Sequence, residues 1–193
     1  MINKKLVTLL VDISLTLFRK NFFGIYHGSI SSKTNNNSFV INTKDAIFDK
    51  MQVSNLCELK INSDDYSWKV ASIEANIHNL IYTNIHEAKY IVCGMPSYTT
   101  AYALEHDNIM FEDYFGKMIF GKLEVYDPKD FSTWYSRNQK EIVGFLKKST
   151  SHLMIIRGIG VYAYDRDMNE LIKKVAILEN SCRLLALKST FIH

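Results

Sequence analysis

KYIVCGMPSYTTAYAL, residues 89–104, is written in three pieces. Tyr90-Ile91-Val92-Cys93 is an apolar run of strand length, and it reads as a buried strand. Gly94-Met95-Pro96 breaks the run, and a helix follows from Tyr98. A loop at the end of a buried strand is a place where folds carry chemistry. Its tip holds Cys93, Gly94 and Met95, where a working site would call for His or Asp.

Outward from that stretch, hairpins alternate with helices. Residues 24–33 contain a strand in which Ile30 alternates with small polar residues, residues 34–37 turn, and residues 38–41 return. Residues 56–61 form another strand, residues 62–65 turn it, and residues 66–70 are expected to return as a strand. The period then changes: Glu74, Ile77, His78, Ile81 and Ile85 share one helical face. Downstream lie a strand at 122–126, a helix at 139–148, and strands at 153–156 and 161–164 joined by Arg157-Gly158-Ile159-Gly160. Asp167 caps a long final helix with Glu170 three residues on, the spacing of a capping box. Leu171, Ile172, Val175, Leu178, Cys182 and Leu185 are its stripe. The pattern predicts an α/β protein of αβα layers, with a central mixed, largely antiparallel sheet and helices on both faces. At 193 residues the default is a single domain spanning 1–193.

Composition narrows the classes. The chain is 47% hydrophobic and 22% charged with a net charge of +3, ordinary globular values. Its basic residues are scattered, so neither nucleic acid nor a membrane surface is expected as a partner. The first 18 residues have a basic start and an apolar run, as a signal peptide would. However, Thr8, Asp12, Ser14 and Thr16 interrupt the run, and Leu6, Leu9, Leu10, Ile13 and Leu17 fall at helical spacing. We expect an amphipathic helix there. The odd count of three cysteines, Cys57, Cys93 and Cys182, argues against a disulfide scaffold and for a reducing compartment. A soluble, cytoplasmic protein is the expectation.

Four segments, in order, resemble the class II aldolase/adducin family. Gly28-Ser29-Ile30-Ser31-Ser32-Lys33 with Phe39-Val40-Ile41 is similar to its Gly-Asn-Ile-Ser hairpin. Ala71-Ser72-Ile73-Glu74 with His78 and Ile81-Tyr82 resembles its Pro-Ser-Ser-Glu helix. Residues 92–103 resemble its His-Thr-His segment, and residues 155–187 its Arg-Asn-His-Gly turn and last helix. The resemblance implies a mixed sheet between helix layers, assembled as a tetramer with the site at a subunit interface. It also implies a divalent metal, usually zinc, on three histidines, a Glu as acid/base, and a phosphate held by the hairpin and the Ser-Ser turn.

Carried onto this chain, the resemblance places Glu74 at the acid/base position and Gly28, Ser29 and Ser72 at the phosphate. The three histidine positions fall on Cys93, Met95 and Ile159. Zinc takes N, S or carboxylate ligands, so a thiol, a thioether and an alkyl group are a poor set. No metal ligands and no cofactor are therefore expected, with zinc as the alternative. Ser29 replaces the hairpin Asn and Ile73 the second Ser of the pair, so the phosphate site is also eroded. The functional expectation is a non-catalytic, metal-free relative of sugar-phosphate aldolases acting as a binding or assembly module. The alternative is an aldehyde-lyase with a site rebuilt from Glu74, His78 and Cys93. Expected partners are further copies of the chain, as a tetramer, and a small phosphorylated ligand. The apolar cluster Met110-Phe111, Tyr114-Phe115 and Met118-Ile119-Phe120 is the expected interface.

The same residues have plainer readings. Glu74 suits the first turn of any helix. His78 reads as a structural histidine of the helix layer, and Cys93 as a small buried hydrophobe. His27, Lys33, Lys44 and Arg157 stand near a ligand or are simply solvated.

Overall fold

The computed structural model describes residues 4–63 and 65–190. One eight-stranded sheet organises them. The first helix, α1 (Lys4–Arg19), leads into a hairpin of β1 (Ser29–Asn35) and β2 (Ser38–Asn42), and β3 (Leu56–Lys60) pairs outside β2. Then come α2 (Tyr66–Val70), α3 (Ala75–Asn84), β4 (Tyr90–Gly94), α4 (Ser97–Glu105), β5 (Asn108–Met110), α5 (Tyr114–Ile119) and β6 (Lys122–Tyr126). The remaining elements are α6 (Phe131–Leu146), β7 (Leu153–Ile156), β8 (Gly160–Asp165) and α7 (Met168–Thr190). Strand order is β3-β2-β1-β4-β8-β7-β6-β5, and every pairing is antiparallel except β6 with β7. The mixed, largely antiparallel sheet is thus the one expected.

Period-2 alternation divides the core into two layers. Ile30, Val40, Val92, Ile155 and Ala163 face α1, α4 and α7, where they meet Leu10, Leu17, Ala103, Leu171 and Leu178. Phe39, Ile41, Ile91, Ile156 and Tyr162 face α3 and α6, meeting Ile77, Ile81, Ile142 and Leu146. Central strands covered on both faces need apolar residues at consecutive positions, and Ile91-Val92 and Leu153–Ile156 supply them.

Several expectations need correction. Residues 66–70 are helical, not a returning strand, because Asp65 caps them: its Oδ1 accepts from Ser67 N at 2.9 Å. The short helix packs on β3, which among the described residues has no strand on its outer side. In α1 the buried stripe is Val7, Leu10, Ser14 and Leu17, while Leu9 is exposed; Ser14 is tolerated inside because its hydroxyl donates to Leu10 O at 2.7 Å. The helix expected at 139–148 starts eight residues earlier, where Asp130 Oδ1 accepts from Ser132 N at 2.8 Å. The final helix is capped by Asp167, whose Oδ1 accepts from Asn169 N and Glu170 N. Its reciprocal half is absent: Asp167 N donates to Asp165, and Glu170 pairs with Lys173. β5 and α5, unassigned in the sequence, form an edge hairpin-and-helix with Tyr114, Phe115 and Met118 exposed. No helix among the described residues is long and apolar enough to cross a membrane.

Candidate functional site

Four segments converge at one end of the sheet. The β7–β8 turn packs on the loop after β4 so closely that a Cβ on Gly160 would stand 2.2 Å from Gly94 O. Gly160 also has φ 137°, a backbone that other residues rarely adopt. This contact carries Ile159 to the side of Met95. On the opposite side, Gly28 leads into β1 with φ 150°, and a Cβ there would sit 2.5 Å from the Phe23 ring. The fourth segment, 71–74, is tied to the hairpin by Ser72 N donating to Asn42 O at 2.9 Å.

Between these turns lies a cleft of about 270 Å³. Its floor is Glu74, Cys93 and Tyr162; Met95, Ile159, Ile73 and Ala46 form apolar walls; Gly28, Asn42 and Ser72 line it near the hairpin. Tyr26, His27 and Lys44 complete the lining as exposed residues at the rim. Glu74 stands just before α3, not in its first turn. The Ser72 hydroxyl accepts from Glu74 N at 3.3 Å, and Tyr162 Oη donates to Glu74 Oε2. Burial pushes the Glu74 carboxyl above its ordinary value, with the Tyr162 bond pulling back. Burial raises the Cys93 thiol well above its usual range, and the Glu74 charge adds to the rise. Tyr162 is raised well above the phenol range, first by burial and then by Cys93 and Glu74. Burial thus works against the charged form of all three acids on this floor.

The residues named from sequence divide into two groups. Glu74, Gly28, Ser72 and Cys93 line the cleft; Ser29 and His78 do not. Ser29 is 0% exposed, and its hydroxyl lies 2.8 Å from His78 Nε2. His78, also 0% exposed, has Ser31 Oγ at 2.7 Å on Nδ1, and Ser31 Oγ meets Tyr82 Oη at 2.6 Å. Desolvation lowers the His78 pKa to about 3, so the ring is neutral. With both ring nitrogens occupied, His78 is no part of a rebuilt catalytic set in this geometry. Arg157 clamps the turn to Ala103 O, Asp107 and Asp127, and Lys33 reaches Tyr82 O. Tyr162 was missed. Its signal was indirect: it is the register partner of Cys93 across β4 and β8, a pairing that requires the sheet order.

The three positions where the resemblance implies histidine do converge, since Cys93, Met95 and Ile159 line the same cleft. The donors present do not fit zinc. Ile159 has no donor atom, the thioether of Met95 is soft and weak, and the thiol of Cys93 is held protonated. Among the described residues no group of three His, Cys, Asp or Glu is placed to hold a metal.

Comparison with known proteins gives a consistent result. The family described as the class II aldolase and adducin N-terminal domain matches residues 8–186. The fold is similar to that of L-fuculose-1-phosphate aldolase from Thermus thermophilus, with a TM-score of 0.84, 17% identity and 98% of each chain covered. It is also similar to YgbL from Klebsiella pneumoniae, a putative aldolase/epimerase/decarboxylase, with a TM-score of 0.79, 18% identity, and 97% and 91% covered. A sugar-phosphate aldolase from Thermotoga maritima matches at a TM-score of 0.72 with 12% identity over 97% and 96%. No curated protein matches the chain in sequence.

Proposed function

Because this chain belongs to the class II aldolase and adducin family, we propose that it is a non-catalytic, metal-free relative of the sugar-phosphate aldolases, working as a binding or assembly module in the cytoplasm. The observation that carries this reading is the donor set at the convergent turns: Cys93, Met95 and Ile159 around one cleft. A zinc site needs about three N, S or carboxylate ligands and an open position, and polarising a carbonyl through such a metal contributes several kcal/mol to catalysis. A small phosphorylated ligand would present its anionic end to Gly28, Ser72 and exposed Lys44. Assembly as a homotetramer is supported by the exposed Met110, Tyr114, Phe115 and Met118 on the β5–α5 edge. The three free cysteines accord with a reducing compartment.

The test is elemental analysis of protein purified without chelator, with far less than one metal per chain expected. One tightly held zinc or iron per chain sinks the reading.

One observation favours an aldehyde-lyase instead: the Glu74 carboxyl, raised by burial and bonded to Tyr162, faces the cleft as a proton carrier would. Turnover of a phosphorylated ketose by the unmodified protein would establish that reading.

A further inference from the structure

We propose that the cleft takes a phosphate ester whose body is hydrocarbon, a short alkyl or aryl phosphate without hydroxyl groups, in preference to a polyol phosphate of the same length. This deepens the reading of the cleft as a metal-free site for a small phosphorylated ligand, and it rests on that reading.

The walls are the first observation. Met95 is 43% exposed and Ile73 82%, and Ile159 is half-buried. All three line one concave cleft together with Ala46. Single apolar side chains facing water are ordinary, but grouped around one concavity and rimmed by polar residues they mark a ligand groove. The occupant is small: about 270 Å³ lies below the range of drug-sized pockets and is too little for a helix or strand of another chain. A hydrocarbon body seated there takes the apolar walls out of water.

The second observation is how the polar groups of the lining are engaged. A polyol needs side chains that grip hydroxyls, and those present are turned to other partners. Asn42 Oδ1 accepts from Ile30 N at 2.9 Å, and its Nδ2 donates to Thr43 O at 3.1 Å. Tyr162 Oη donates its one hydrogen to Glu74 Oε2, within the floor. The Cys93 thiol is a weak hydrogen-bonding group. A hydroxyl carried against Met95, Ile159 or Ile73 gives up water and meets no partner in those side chains, which is unfavourable. The hairpin end differs. Ser72 Oγ accepts from Glu74 N at 3.3 Å, which leaves its hydrogen to donate. Exposed Lys44 is held beside that turn by its backbone N–H, which donates to Val70 O at 3.0 Å, and it adds a positive charge at the rim. The anionic head therefore belongs at the Ser72–Lys44 end and the hydrocarbon against Met95 and Ile159.

The test is a 1H–15N NMR titration of the full chain with two phosphates of one skeleton. Propyl phosphate and glycerol 1-phosphate carry the same charge and differ by two hydroxyls. Propyl phosphate should bind about tenfold more tightly, short of the roughly hundredfold that an enclosed apolar pocket imposes on an added hydroxyl. Its shifts should appear at Met95 and Ile159 as well as at Ser72 and Lys44. Pentyl phosphate should bind more tightly again, by up to about fourfold for each added methylene that the walls cover. Equal binding of the matched pair, tighter binding of glycerol 1-phosphate, or an affinity that does not rise with chain length overturns the proposal and leaves the metal-free phosphate reading in place. No shift in the cleft with any of the three phosphates defeats that reading and the proposal together. Two variants separate body from head. Ile73→Ser, at an exposed position outside the core, should narrow the preference for propyl phosphate, whereas Lys44→Ala should weaken both probes alike and keep their ratio. An unchanged ratio in Ile73→Ser, or a changed one in Lys44→Ala, counts against the proposal. A stoichiometric metal in the same sample defeats the metal-free reading alone.

Discussion

Acid should destabilise this protein through one residue well before its carboxylates titrate. His78 is 0% exposed and paired on both nitrogens with serine hydroxyls, and burial lowers its pKa from 6.5 to about 3. The unfolded chain therefore takes up a proton near pH 6.5 that the folded chain refuses until about pH 3. The unfolded state binds more protons throughout that window, so stability is fully present above it and falls as pH drops through it. At about 1.4 kcal/mol per pH unit, lowering pH from 7 to 5 removes about 2 kcal/mol. With a urea slope of about 2 kcal/mol/M, the midpoint moves down by about 1 M. Burial of Glu74 acts in the opposite sense, since a raised carboxyl favours the folded state as pH falls. The clean measurement is therefore a difference: urea titrations of the unmodified chain and of His78→Gln at both pH values. Gln cannot take up the proton, so the His78 share of the acid loss should vanish in the variant. At pH 7 the variant itself should be about 1–3 kcal/mol less stable, because its amide pairs Ser29 and Ser31 less well. Identical pH dependence in the two proteins would refute the reasoning: His78 would then be accessible to protons in the folded state, and the buried serine pair would not be holding it neutral.

Cys93→His, Met95→His and Ile159→His together should create a zinc site without aldolase activity, because Gly160 against Gly94 already brings the turns together while Ser29 and Ile73 remain unsuited to phosphate. A zinc titration followed by assay with a phosphorylated ketose checks this; absence of binding would mean that the turns do not converge as described. Gly144→Ala should stabilise by about 0.5–1 kcal/mol, since Gly144 lies inside α6 with nothing within 4 Å of the added Cβ, and thermal denaturation reads the change. Light scattering at micromolar concentration should show a homo-oligomer that Phe115→Asp weakens; a monomeric unmodified protein would remove the interface reading of α5.

The resemblance was legible because its carriers are local. Gly28 and Gly160 write backbone angles, Ile91-Val92 writes a strand buried on both faces, and the stripe of α7 writes one apolar helix face. Where local signals compete, the sequence misled. Tyr66–Val70 alternates like a strand, yet the Asp65 cap and the cover that an edge strand needs made it a helix. β5 and α5 are too short for any period to show.

The site divides along the same line. From sequence alone, the chemistry at two turns was fixed: a thiol, a thioether and an alkyl group where a metal would need donors. That follows from side-chain identity and requires no coordinates. Who partners whom was decided only by the tertiary structure. Glu74 and Tyr162 lie 88 residues apart, and Ser29 and His78 lie 49 apart. No local pattern encodes such pairs, because they depend on strand order and register: β1 and β8 flank β4, and that arrangement alone sets Ser29, Cys93 and Tyr162 in one row. The same register buried Ser29 beside Cys93, outside the cleft lining, and made His78, polar and placed on an otherwise apolar helix face, a buried partner of two serines.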